Sequence, residues 1–173
     1  MKKNNDNTTE QEWDLIVKHE ITFWGTRDNV AAVLETLKGR TEEQGAEHPA
    51  IDFGKLIYMP EDMDYFEYLH PGTTIEWMAK NWGSESNALD IEIGEWDGRK
   101  TTVFFQTKEN LPREVIKELI GLCNEHAVVC TGYFAANDLG MLAGFINMDG
   151  PICVDDETVL AHEIANDLWK EGK

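Results

Sequence analysis

The feature that most constrains what this chain can fold into is the Asp97-Gly98 pair set between two extended runs. Leu89, Ile91 and Ile93 alternate with Asp90 and Glu92 before it, and Thr101 to Thr107 follows it. A period of two marks a strand buried on one side, and Asp-Gly supplies the positive φ angles of a tight turn between antiparallel strands. An antiparallel hairpin is expected here, and the rest of the chain has to be arranged around a sheet.

Upstream, Leu15, Val17, Ile21 and Phe23 share one side of an extended segment, interrupted by His19, while Lys18, Glu20 and Thr22 face the other way. After Gly25 the period turns helical: Val30, Val33, Leu34 and Leu37 fall on one face, with Asp28 as N-cap and Gly39 as the stop. Thr41 to Ala50 reads as a loop, and Ile51 to Met59 as a short strand centred on Leu56, Ile57 and Tyr58. Thr73 with Glu76 has the capping-box spacing and predicts a helix that packs through Ile75, Met78, Ala79 and Trp82 and ends at Gly83. Pro112 opens a further helix whose stripe is Val115, Ile116, Leu119, Ile120 and Cys123. Val128 to Ala135 and Met141 to Met148 are expected as strands joined around Asn137-Asp138 and Gly140. A last helix follows Asp155-Asp156-Glu157, whose carboxylates suit the positive end of its dipole, and buries Leu160, Ile164 and Leu168.

The steady strand-helix alternation of a doubly wound parallel sheet is absent. The order predicts an α+β fold with an antiparallel or mixed sheet and helices on one face, a ferredoxin-like layout with additions. At 173 residues the chain suits one core. Residues 1-12, rich in Lys, Asn, Asp and Thr, are expected to be a flexible N-terminal arm, and 13-173 one domain with a C-terminal helix. No run approaches the roughly 18 apolar residues of a membrane span, and Met1 to Glu12 holds no apolar h-region. Cys123, Cys130 and Cys153 are odd in number and lie among apolar neighbours, which argues against a disulfide framework or a zinc site. A reducing cytoplasm is the expected setting, with Cys123 and Cys130 as core residues.

Charge carries most of the functional information. With 33 acidic against 15 basic residues the formal charge is −18. Such a surface repels phosphate backbones, so direct DNA binding is not expected, and it attracts basic proteins, including those that themselves bind nucleic acid. Glu61, Asp62, Asp64 and Glu67 are interleaved with Tyr65, Phe66 and Tyr68, so that aromatic anchors accompany the carboxylates; Asp155, Asp156 and Glu157 form a second acidic group.

Chemistry-bearing motifs are missing. His162-Glu163 starts like a zinc-protease helix, but Asn166 stands where the second histidine belongs. No glycine-rich phosphate loop and no EF-hand spacing occurs, so no catalytic residue, metal or cofactor is assigned. Val103-Phe104-Phe105, with Arg99 and Lys100 nearby, invites comparison with RNA-binding sheet faces, although the basic, glycine and spaced-aromatic pattern is absent.

The stretch Glu76-Trp77-Met78-Ala79-Lys80-Asn81-Trp82-Gly83-Ser84-Glu85-Ser86-Asn87-Ala88 resembles the tryptophan and Asn-Trp-Gly segment of the YubB ferredoxin-like family, carried by conjugative plasmids and phages. Phe104-Phe105-Gln106-Thr107, Leu111-Pro112, Tyr133 and Gly144 fall in that family's order, so the resemblance spans roughly residues 13 to 148. Where the family typically reads Asn-Trp-Gly-Thr-Lys-Trp, this chain places Ser84, Glu85 and Ser86 after the glycine, losing the basic residue and the second tryptophan. The resemblance implies a fold and a mobile-element setting, and no reaction.

Charge, missing motifs and resemblance together lead to a non-enzymatic acidic binding protein of a phage or plasmid, acting in the bacterial cytoplasm. Its expected partner is a basic, nucleic-acid-binding host defence protein, inhibited by nucleic-acid mimicry in the manner of an anti-CRISPR. The alternative is an RNA- or ligand-binding module of the mobile element that uses the open sheet face.

Overall fold

The computed structural model describes residues 15–39, 50–137, 142–154 and 159–170. Six strands form one antiparallel sheet: β1 (Ile16–Trp24), β2 (Leu89–Ile93), β3 (Lys100–Lys108), β4 (Val129–Ala136), β5 (Ala143–Asn147) and β6 (Gly150–Cys153), in the spatial order β2-β3-β1-β4-β5-β6. Among the described residues five α-helices accompany them: α1 (Arg27–Leu37), α2 (Met63–Leu69), α3 (Thr73–Asn81), α4 (Arg113–Glu125) and α5 (Val159–Trp169). The fold is α+β. Neither the expected arm, 1-12, nor Thr41 to Pro49 falls within the described residues, and the same holds for Asp138 and Gly140.

The hairpin forms where the Asp-Gly pair requires it. Asp97 Oδ1 accepts from the amides of Arg99 and Lys100, both at 2.9 Å, and Gly98 takes φ 96°, a conformation that glycine adopts without a Cβ penalty. One face of the sheet carries Val17, Ile21 and Phe23 of β1 with Val103 and Phe105 of β3, packed under Val30 and Val33 of α1 and the predicted stripe of α4. Cys123 and Cys130 are both buried in this core, and Trp82 is fully buried with its indole Nε1 donating to the carbonyl of Ile57. His19 points into the same core, stacked on Phe105 with ring centroids 4.5 Å apart.

Several expectations are corrected. Ile51 to Met59 is not a strand: Ile51 and Phe53 plug into the core, and a 3-10 turn spans Phe53–Lys55. Side chains claim the backbone there, because Asp52 accepts from the Gly54 amide and Asn87 Oδ1 from the Phe53 amide, leaving no ladder to join. Thr26, not Asp28, caps α1. The capping box at Thr73 does not form; Gly72 takes the N-cap position at φ 94°, and Ile75 is exposed. A strand that the sequence reading omitted, β6, returns beside β5.

The layers also differ from the expected arrangement with helices on one face. Helices cover both faces, since α5 lies on the side opposite α1 and α4, where Ala161, Ile164, Ala165 and Leu168 pack on Ala135 and Ala143. Trp169 donates to the carbonyl of Ala135 at 3.1 Å and lies under the Lys18 ammonium. Leu160, expected inside, is exposed. Apart from α5, no described helix lies on this second face. One cross-strand row runs over all six strands as Glu92, Phe104, Glu20, Tyr133, Phe145 and Ile152. The next holds Thr102, Thr22 and Thr131, and the one after it Lys100, Trp24 and Val129.

Candidate partner-binding surface

From residue 50 to β2 the chain runs off the sheet as a small helical segment. Its first helix, α2, is seven residues long and buries only Met63. The side chains that follow are unusually large for residues that take no part in the core: Tyr65 is 62% exposed, Tyr68 83% and Phe66 41%, with Tyr58 just before the helix at 64%. Burying a ring of this size stabilises a fold by about 1.5 to 3 kcal/mol, so a helix that leaves three of them largely exposed has an apolar face that the described residues do not cover. Tyr65 and Phe66 stand side by side, ring centroids 6.2 Å apart.

Around these rings sit the carboxylates. Asp62 occupies the N-cap position of α2 without making a side-chain cap bond, and Asp64 lies in the first turn. Among the described residues no Lys or Arg forms an ion pair with Glu61, Asp62 or Asp64. Tyr58 senses their field: partial desolvation, the hydrogen bond it gives Glu61, and the charges of Glu61 and Asp62 push its pKa up. The surface is thus acidic and aromatic together, chemistry suited to a basic partner that also offers apolar contact.

Glu67 does different work. Its Oε1 accepts from the Gly72 amide at 2.7 Å and its Oε2 from the Thr74 amide at 2.8 Å, so the carboxylate joins the end of α2 to the start of α3. Those two backbone bonds hold its pKa below the ordinary value. The latch is therefore intact above the ordinary carboxylate range and released as pH falls through the depressed pKa. In Glu67→Gln, amide exchange at Gly72 and Thr74 is expected to quicken while the core amides of β1 keep their protection. Unchanged exchange at both amides would show that the latch holds nothing.

The structure thus gathers Glu61, Asp62, Asp64, Tyr65, Phe66 and Tyr68 on one short segment and turns Glu67 back onto the chain. Asp155, Asp156 and Glu157 lie outside the described residues. Sequence reasoning missed Tyr58, which it placed in a strand. It also missed the row through Tyr133 and Phe145, and it treated Phe104 and Phe105 alike, whereas Phe105 enters the core and Phe104 lies on the opposite face. Among the described residues no three His, Cys, Asp or Glu side chains come together as metal ligands, and no helix is long and apolar enough to cross a membrane. A cleft of about 210 Å³ beside the end of α5 is lined by Lys18, His19, Asp90, Glu92, Phe104, Phe105, Gln106 and Leu168, with no hydroxyl or thiol among them. No family model, curated protein or solved structure matches this chain.

Proposed function

We propose that this protein is a non-enzymatic binding protein whose α2 segment occupies the basic, nucleic-acid-binding surface of a host defence protein. The observation that carries this reading is the exposed set of Tyr58, Tyr65, Phe66 and Tyr68 among Glu61, Asp62 and Asp64, carboxylates that form no ion pair among the described residues. Charge alone gives a contact that salt screens within about 8 to 10 Å; rings that leave water supply an anchor that salt does not weaken. The −18 charge of the chain adds long-range attraction for a basic partner, and spaced carboxylates imitate the phosphates that such a partner ordinarily holds.

The fold reading that accompanies it is ferredoxin-like. The order β2-β3-β1-β4, with α1 after β1 and α4 between β3 and β4, supports that reading. In it, β5, β6 and α5 are additions at one end, and the α2–α3 segment is an insertion. The resemblance to the YubB family supports a phage or plasmid setting and action in the bacterial cytoplasm, on a defence system in the way of an anti-CRISPR.

Charge reversal tests the site. The triple variant Glu61→Lys, Asp62→Lys, Asp64→Lys, used as bait in nuclease-treated bacterial lysate beside the parent protein, is expected to lose the basic proteins that the parent retains. The loss should be greater at low salt than at high salt, with melting unchanged. Retention of the same proteins by both baits across the salt series would remove these carboxylates from the interface.

A further inference from the structure

We infer that the part of the second sheet face that the described residues leave exposed beside α5 is a stacking platform for single-stranded nucleic acid, a site separate from α2 and independent of its role. Tyr133 and Phe145 are directly paired on β4 and β5, and Tyr133 is half exposed. Four residues along β1 from that row, about 13 Å at strand spacing, stands Trp24, 39% exposed. Its indole Nε1 donates to Thr131 Oγ1 at 3.0 Å, which lays the ring across β1 and β4 instead of letting it swing into solvent. Rings fixed on a sheet at such intervals are what unstacked bases use, because every base has a π face and stacking is worth about 1 to 3 kcal/mol per base.

Local charge names the occupant. Lys100 holds its ammonium 4.7 Å from the Trp24 ring centroid, and Arg99 precedes it in the chain. On the two rows nearest Trp24 the side chains from β1, β3 and β4 include three threonines and no carboxylate, whereas Tyr133 stands beside Glu20 and borders Glu163 and Asp167 of α5, so phosphate is drawn to the Trp24 end and Tyr133 contributes by stacking alone. Asp97, the acid beside Arg99, has its carboxylate turned onto the Arg99 and Lys100 amides. Within a chain of charge −18 this corner therefore suits phosphate beside stacked bases, whereas an acidic protein segment would leave the exposed rings without bases to stack. Stacking has to dominate. With at most two phosphate contacts the logarithmic salt slope stays below about 1.5, and relief of long-range repulsion as salt rises flattens it further.

The test is anisotropy of a fluorescein-labelled, unstructured DNA of about twelve nucleotides, titrated with protein at about 50 and about 200 mM salt. Saturable binding by the parent is expected, weakened at least about fivefold by Trp24→Ala and by Tyr133→Ala, and retained by the α2 triple variant. Lys100→Gln should cost less and reduce the salt slope. Tyr133→Ser, at a half-exposed position, carries the test if Trp24→Ala folds poorly by circular dichroism. No saturable binding by the parent would overturn the inference, as would binding that both aromatic variants leave intact. Equal affinity for a duplex, or tighter binding of an acidic aromatic peptide than of the oligonucleotide, would overturn it too.

Discussion

Acidification is expected to destabilise this protein through one imidazole. His19 is 1% exposed, and burial lowers its pKa from 6.5 to about 3. The Thr107 hydroxyl spends its proton on the Asn110 carbonyl at 3.0 Å, so His19 Nε2 must be the donor in the 2.9 Å contact with Thr107 Oγ1. That fixes the neutral tautomer and leaves Nδ1 buried with no hydrogen-bond partner. Protonating Nδ1 would place a charge against Phe105 with nothing to receive it.

The unfolded chain takes up this proton near 6.5 and the folded protein does not, so stability is complete above 6.5 and falls as pH drops toward 3. At 1.36 kcal/mol per pKa unit the full loss is about 5 kcal/mol, comparable to the whole stability of many domains. Urea unfolding of the parent and of His19→Phe, compared between about pH 7 and about pH 4.5, isolates this group. The variant keeps the ring stack and should lose less stability over that range than the parent. Parallel pH profiles would contradict the assignment.

A second large effect is expected at the centre of the sheet. A Cβ on Gly132 would stand 2.2 Å from the carbonyl oxygen of Glu20 and 3.1 Å from the Cα of Ile21. Both are backbone atoms of β1, which pairs with β3 on one side and β4 on the other, so neither yields without opening the ladder. Gly132→Ala should therefore cost about 3 kcal/mol or more, the upper range for overpacking, although it adds one methyl group. Denaturant midpoints measure it directly. A variant as stable as the parent would mean that β1 and β4 can part by the width of a methyl group without cost.

Local chemistry made some of this structure legible in advance. The Asp97-Gly98 turn is closed by Asp97's own side chain, and the Val115, Ile116, Leu119 and Ile120 stripe of α4 needs only one apolar side to meet. Where the decisive partner is distant, the sequence misleads. Leu56, Ile57 and Tyr58 look like a strand, yet Asn87 claims the Phe53 backbone from 34 residues away. The spacing of α5 announces a helix without saying which face of the sheet receives it; the footprint is Ala135 and Ala143, small residues of the kind that many strands carry. Composition exposed the acidic and aromatic character of α2, but aromatics at helical spacing usually pack inward, and nothing local says that Tyr65 and Tyr68 stay out or that Glu67 turns back to Gly72 and Thr74.

The central claim is that α2 takes the place of nucleic acid on a basic partner, and competition tests it most directly. A basic protein retained by the parent bait is challenged with increasing duplex DNA, using bait that carries Trp24→Ala so that the sheet platform cannot hold the competitor's frayed ends. The account predicts that the DNA releases the protein in proportion to its concentration and that the α2 charge-reversal variant captures none to release. A partner that stays bound while its own nucleic-acid site fills with DNA would contradict it, because the two ligands would then be using different surfaces.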